Sequence, residues 1–260
     1  MKESPLAEGT VPRSGWAVFQ RQLDTGFLCR LRGDLALMYA RRRAVQLRNG
    51  IAAGMEGTCH HLLGDGTAMD EFFTQLPLDR VIRDFFGGPY ILNSFGGFKN
   101  APGGERGYIG RVHRDIRTYS PDFKMMLNML VMLDDFTPEN GATLLLPGPH
   151  FTSEPPSRLR FREDSVRLLG KAGDIVVFDS RLWHAAGVNK SAAARRALTL
   201  TYTRPFFKQQ LDYPRFLGDA YGQNLTPAIR QVLGYAARVP DTIDAFYQPP
   251  ERRAYQSDQG

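Results

Sequence analysis

Two histidines and an aspartate are spaced so that a single metal ion could use all three. His113-Arg114-Asp115 closes a run, residues 109–116, that reads as a strand. Alternate residues of a strand point the same way, so His113 and Asp115 would face one side and Arg114 the other. His184 follows 69 residues after Asp115, just beyond Gly173-Asp174-Ile175-Val176-Val177-Phe178, a turn leading into an apolar strand. Two imidazoles and one carboxylate form a facial set that leaves coordination positions open and suits non-haem Fe(II). Zinc competes, because the same donors serve zinc hydrolases. Arg195 shifts the balance toward iron. It lies eleven residues after His184 and opens the run Arg195-Arg196-Ala197-Leu198-Thr199-Leu200-Thr201-Tyr202. A strand there could aim Arg195 inward beside the metal and Arg196 outward. A guanidinium offers a bidentate fork for a carboxylate, and a buried, unpaired arginine is costly, so an inward Arg195 implies an anionic partner.

The other candidate ligands have plainer readings. His60 and His61 follow Cys59, but no further ligands stand nearby, which favours a cleft wall or a surface role. His150 follows Pro147-Gly148-Pro149 and reads as a structural hydrogen-bonding residue. Trp183 packs beside the site. Met125, Met126, Met129 and Met132 are core filling, as methionine often is.

These residues need a scaffold, and the chain changes texture at Tyr90. Before it, residues 16–22 read as a short strand, and Asp24 or Thr25 caps a helix to about Leu47. Leu28, Leu31, Leu35, Met38 and Val45 share one face of that helix, and Asn49-Gly50 stops it. A second helical zone covers 69–86, interrupted by Pro77 and ended by Gly87-Gly88. After Tyr90, strand-like runs at 90–95, 109–116, 125–133, 143–146, 166–169, 174–178 and 198–203 alternate with turn clusters. Many short strands at this spacing suggest a sandwich, barrel or jelly roll. The tail reads as helical again around 227–237 and as frayed over 256–260. The segment 96–107, rich in glycine, reads as a mobile loop whose Lys99 and Arg106, with Arg111 beyond it, could meet an anionic group.

Composition sets the outer bounds. The 260 residues are 42% hydrophobic and 23% charged, an ordinary globular mixture. No run is long enough to cross a bilayer, and residues 1–13 lack the layout of a signal peptide. Two cysteines are too few for a disulfide scaffold, which favours a reducing cytoplasm. The net charge is +6, yet residues 1–50 alone hold nine Lys/Arg against four Asp/Glu. Arg41, Arg42, Arg43 and Arg48 therefore read as a solvated helix face, not a nucleic-acid surface.

The chain resembles the Fe(II)/2-oxoglutarate dioxygenases of the phytanoyl-CoA dioxygenase type. The resemblance rests on His113-Arg114-Asp115, the stretch Leu133–Thr143 with Pro138-Glu139-Asn140-Gly141, Leu146-Pro147-Gly148-Pro149-His150, Gly173-Asp174, Trp183-His184 and Arg195. It runs from about Gly15 to Phe206. It implies a mainly β protein with flanking helices, a double-stranded β-helix (jelly roll, cupin-like). One domain would span 1–260: a helical part at about 15–88, the jelly-roll core at about 89–207, and an extension over 208–260. His113, Asp115 and His184 would hold Fe(II), and Arg195 would bind the distal carboxylate of 2-oxoglutarate. Dioxygen would take the remaining position, and a small molecule, not nucleic acid or membrane, would be oxidised. The oligomeric state is left open.

The sequence departs from the family at two points. Pro149 stands where a serine is common, and Ala197 stands two residues after the arginine, where related oxygenases carry a hydroxyl. Another group must then assist Arg195, and Asn128 and Thr143 are the candidates. Asp115 argues for hydroxylation or a related oxidation and against halogenation, which replaces that carboxylate by a small residue. A tailoring step in secondary metabolism fits this chemistry. The competing readings are a non-catalytic jelly-roll binding protein and a zinc hydrolase.

Overall fold

The computed structural model describes residues 11–12, 14–103, 107–147 and 153–259. Strand β1 (Trp16–Phe19) leads into helix α1 (Thr25–Arg48), then β2 (Thr58–His60), α2 (Ala68–Thr74), α3 (Asp79–Phe86) and β3 (Ile91–Asn100). After these come β4 (Met126–Met132), β5 (Leu144–Leu145), α4 (Arg158–Asp164), β6 (Val166–Arg167), β7 (Ile175–Asp179), β8 (His184–Ala185) and β9 (Arg195–Thr203). The C-terminal part adds α5 (Tyr213–Leu217), α6 (Asp219–Gln223), α7 (Pro227–Leu233) and α8 (Ile243–Phe246). No helix among the described residues is long and apolar enough to cross a membrane.

The strands form two antiparallel sheets. The larger has the order β1-β7-β4-β9-β3-β2 and the smaller β6-β5-β8. Two facing antiparallel sheets with helices on the outside make the expected jelly roll. Strands β4 and β7 are buried along their whole length, which accounts for their nearly continuous apolar sequences. The two edge strands of the larger sheet, β1 and β2, come from the region before Tyr90, so that region builds part of the barrel wall as well as its helical cover.

Helix α1 follows from local chemistry. The Asp24 carboxylate accepts from the Phe27 amide at 2.9 Å, satisfying one of the free donors at the helix start. Phe27, Leu28, Leu31, Leu35 and Met38 are buried against the larger sheet, each contributing roughly 1.5–3 kcal/mol. Val45 does not continue that face: it is 37% exposed, and Gln46 is buried in its place. The helix end passes over the edge strand, where the nearest partner is the Thr58 carbonyl, and Gln46 Nε2 donates to it at 3.2 Å. Arg41 and Arg42 both reach Asp65 at 2.9 Å, and Arg42 also donates to the His61 carbonyl. These arginines tie the helix to the segment after it.

Three other expectations need correction. Residues 109–116 are not a strand: a 3-10 helix spans Gly107–Gly110, and His113 makes only an isolated bridge. Residues 96–100 are not a loop but the second half of β3, paired with both β2 and β9. The glycines there permit close approach, since a Cβ on Gly97 would lie 2.4 Å from Leu35 Cδ1. The last residues are not all frayed, because Gln259 is fully buried and exchanges amide hydrogen bonds with Gln231. Residues 104–106, with Arg106, and 148–152, with His150, lie outside the described residues.

Candidate metal centre

Backbone pairing brings the first two candidate ligands together. His113 and His184 face each other across an antiparallel bridge, each donating its amide to the other's carbonyl, at 3.0 and 2.8 Å. Their rings stand 4.3 Å apart, centre to centre. Asp115 completes the group: its Oδ1 is 3.4 Å from His113 Nε2 and its Oδ2 is 3.7 Å from His184 Nε2. The candidate ligand atoms all lie within 4.8 Å of one another. A metal held at ~2.1 Å by ligands at right angles would set them roughly 3 Å apart, so small adjustments would close the set on an ion. His113 and Asp115 converge as expected, although from an irregular segment and not from a strand.

Both imidazoles are oriented from behind. His113 Nδ1 lies 2.8 Å from the Arg111 carbonyl, and His184 Nδ1 lies 3.0 Å from the Leu182 carbonyl. A carbonyl only accepts, so each Nδ1 carries the proton and each Nε2 presents its lone pair to the centre. Asn128, on the central strand β4, donates to Asp115 Oδ2 at 2.7 Å and fixes the carboxylate. Burial disfavours a charged Asp115, but His184, His113 and Asn128 outweigh it and hold its pKa below the ordinary carboxylate value. Burial also opposes charge on His113, yet the hydrogen bond and charge of Asp115 hold its pKa above the ordinary imidazole value. For His184 burial wins over the attraction of Asp115 and pushes the pKa down.

A turn anchors the segment before His184. Arg181 binds Asp179 through Nε at 3.0 Å and Nη2 at 2.7 Å, and also donates to the Ser120 and Pro121 carbonyls. Arg114, between the two ligands of its own segment, is buried with its guanidinium 5.0 Å from the Trp183 ring and 5.6 Å from that of Tyr119. Trp183 otherwise packs with Leu146, Phe161 and Ala185.

Arg195 points inward, as alternation along β9 requires, and Arg196 points outward onto Asp134 at 2.8 Å. Arg195 is 1% exposed. Its Nη2 donates to the Gly141 carbonyl at 2.8 Å and its Nε to the Asn140 carbonyl at 3.3 Å, while its Nη1 has no partner among the described residues. The rings of Phe136 and Phe98 lie 3.9 and 5.2 Å from the guanidinium. Burial pulls its pKa down to about 9, with Asp134 offsetting little of the loss. Gly141 must be glycine here, since its φ is +75° and a Cβ would lie 2.5 Å from the Gly187 carbonyl oxygen.

A cavity of about 500 Å³ opens on the three candidate ligands. Asn128 and Thr143 line it, as do His60, Ser94, Phe98, Thr199, Thr201, Gln210, Arg111 and Arg117. Arg195 does not. It stands behind Phe98, whose backbone partner is Ala197, so the missing hydroxyl at 197 leaves room for this aromatic cover. Thr199 and Thr201 were open to sequence reasoning, because they share the inward parity of Arg195. His60 takes the cleft-wall place that the sequence allowed it, although no pattern marks the three-residue strand β2 that carries it. His61 turns away, its Nδ1 3.0 Å from the Tyr213 hydroxyl.

Comparison with known proteins bears on the family and the fold. An uncharacterized protein of Mycobacterium tuberculosis is 40% identical over 148 residues, covering 57% of this chain and 54% of that protein. The dioxygenase olcK of Penicillium canescens is 32% identical over 136 residues, covering 48% of this chain and 43% of that protein. The chain thus spans about half the length of the curated relatives it matches. Among solved structures, the non-heme alpha ketoglutarate dependent carbocyclase SnoK from nogalamycin biosynthesis superposes with a TM-score of 0.55 at 19% identity, covering 74% of this chain and 80% of that one. The epimerase SnoN from the same biosynthesis gives 0.53 at 20% identity, covering 74% and 77%. At these identities the two structures establish the fold alone. The family model of phytanoyl-CoA dioxygenase matches residues 13–197, and the chain belongs to that family.

Proposed function

We propose that the chain is an Fe(II)/2-oxoglutarate-dependent oxygenase that hydroxylates, or otherwise oxidises, a small molecule in the reducing cytoplasm. The observation that carries this reading is the pairing of a facial His113/Asp115/His184 set with a buried arginine that keeps a free N–H. The three donors fit a divalent metal with open positions. The unpartnered Nη1 of Arg195 fits a carboxylate, which 2-oxoglutarate carries and which the zinc-hydrolase reading does not itself explain. Iron with 2-oxoglutarate and dioxygen supplies the oxidising power when bound.

The protein's own residues do the rest. His113, Asp115 and His184 hold the metal from one side, and the carbonyls of Arg111 and Leu182 keep the imidazoles in the right tautomer. Asn128 holds Asp115 in place. Arg195 receives the distal carboxylate, with Phe98 and Phe136 keeping water from the guanidinium, and Thr143 offers a hydroxyl on the same cavity wall. For the carboxylate to reach Arg195, the Phe98 ring must turn aside.

The test is anaerobic addition of Fe(II) and 2-oxoglutarate, which should produce the weak visible charge-transfer band of the chelate. Folded, iron-loaded protein that shows no band rules the reading out. A non-catalytic binding protein would also give no turnover of 2-oxoglutarate in air.

A further inference from the structure

The charges around the cavity do not cancel. Its lining holds Arg111, Arg114 and Arg117 against one carboxylate, Asp115. Arg114 is engaged, donating to the Arg117 carbonyl at 2.8 Å and packing on Trp183 and Tyr119. Arg111 and Arg117 are exposed, and so lie at the solvent edge of the cavity. Neither makes an ion pair or a side-chain hydrogen bond among the described residues.

Under the function proposed above, on which this inference rests, the metal and co-substrate do not supply the missing anion. The two positive charges of Fe(II) and the one on Arg195 are matched by Asp115 and the two carboxylates of 2-oxoglutarate. Arg111 and Arg117 are left over. Two uncompensated cations beside low-dielectric walls focus a positive potential on the opening. The wall behind them is neutral. Ser94 and Thr201 share a 2.8 Å hydroxyl contact, burial disfavours charge on His60, and Met126 and Leu130, which share the inward parity of Asn128, supply apolar surface.

We infer that the substrate of this site is an oxyanion: a molecule carrying a carboxylate, phosphate or sulfate group that docks on Arg111 and Arg117. Its body lies against Met126, Leu130, Ser94 and Thr201, which brings a carbon within reach of the metal ligands. The charged group gives orientation and long-range attraction, and the mixed apolar and hydroxyl wall accepts the body.

The test uses a panel of carboxylates, phosphate monoesters and sulfate monoesters with varied bodies, each beside its neutral amide or alcohol. Binding is read as thermal stabilisation of the whole protein, with and without Fe(II) and 2-oxoglutarate, and as perturbation of the chelate band. The anionic member of at least one pair should act at a concentration tenfold or more below its neutral partner, and the effect should weaken steeply with salt. Comparison of the three anion classes shows which group the arginines prefer. The R111Q/R117Q double variant should abolish the preference while the 2-oxoglutarate midpoint of the chelate band moves less than twofold. The inference is overturned if no anionic member outperforms its neutral partner. It is overturned equally if the double variant loses 2-oxoglutarate binding, since the two arginines would then belong to the co-substrate. Absence of the band in all conditions would remove the proposed function, whereas the anion preference is still read by thermal stabilisation.

Discussion

Two of the buried arginines, Arg181 and Arg195, have surroundings that differ in kind. Arg181 is 8% exposed, and its cation is answered on the spot by Asp179 and by two backbone carbonyls. Arg195 is 1% exposed, and among the described residues no carboxylate pairs with it: two carbonyls, two aromatic faces and an idle Nη1 make up its environment. The first arrangement is complete within the chain. The second leaves one N–H without a partner among the described residues, which under the proposed function is the place of a carboxylate. Burial of a cation therefore does not by itself distinguish a structural brace from a binding group, but the accounting of its N–H groups does.

That contrast can be broken by substitution. Arg181→Met strands the buried Asp179 carboxylate and should destabilise the protein by ~3–5 kcal/mol, read as a large fall in the urea midpoint. Arg195→Met removes a cation that has no carboxylate, so stability should hold within about 1 kcal/mol while 2-oxoglutarate binding weakens roughly a hundredfold through the lost charge-assisted contacts. If both variants lost stability alike, the contrast would be wrong and Arg195 would be a brace too. Asn128→Ala sharpens it from the metal side. Loss of the hydrogen bond to Asp115 should weaken Fe(II) binding roughly 10–100-fold, measured by competition with a chelator, and leave Arg195 untouched.

The smallest effect concerns pH. His61, outside the cavity, is the group to follow. Burial, His60 and Arg42 together depress its pKa from 6.5 to about 4. Above pH 6.5 it is neutral in folded and unfolded chains alike. As pH falls from 6.5 toward 4 the unfolded chain takes up a proton that the native state refuses, so stability is lost across that window. His61→Gln should flatten this part of the urea-midpoint profile, and an unchanged slope would assign the loss to other groups.

Much of this arrangement can be read from the chain itself. The cap at Asp24 and the apolar face of α1, the unbroken apolar runs of β4 and β7, and the inward parity of Arg195 each follow from strong local periodicity. The three ligand candidates were legible because the His-x-Asp pair and His184 each stand at the end of such a run. What escaped depends on contacts distant in sequence. The bridge that aligns His113 with His184 joins segments 71 residues apart, and a 3-10 turn replaces the expected strand before it. Gly96 and Gly97 resemble loop residues, yet they serve a strand over which α1 and β2 crowd. The paired amides of Gln231 and Gln259 bury a terminus that composition marks as polar.

The placement of β2 has a consequence for how a site of this kind can diverge. Strand β2 brings Thr58 and His60 to the cavity, yet it sits at the rim of the larger sheet with β3 as its single neighbour. The metal-facing Asn128 lies on a strand held on both sides. An edge strand can shift, lengthen or change its side chains while breaking one ladder of hydrogen bonds, whereas a central strand would disturb two. Under the proposed function, new substrates can thus be accommodated by altering the rim, with the candidate metal centre kept as it is.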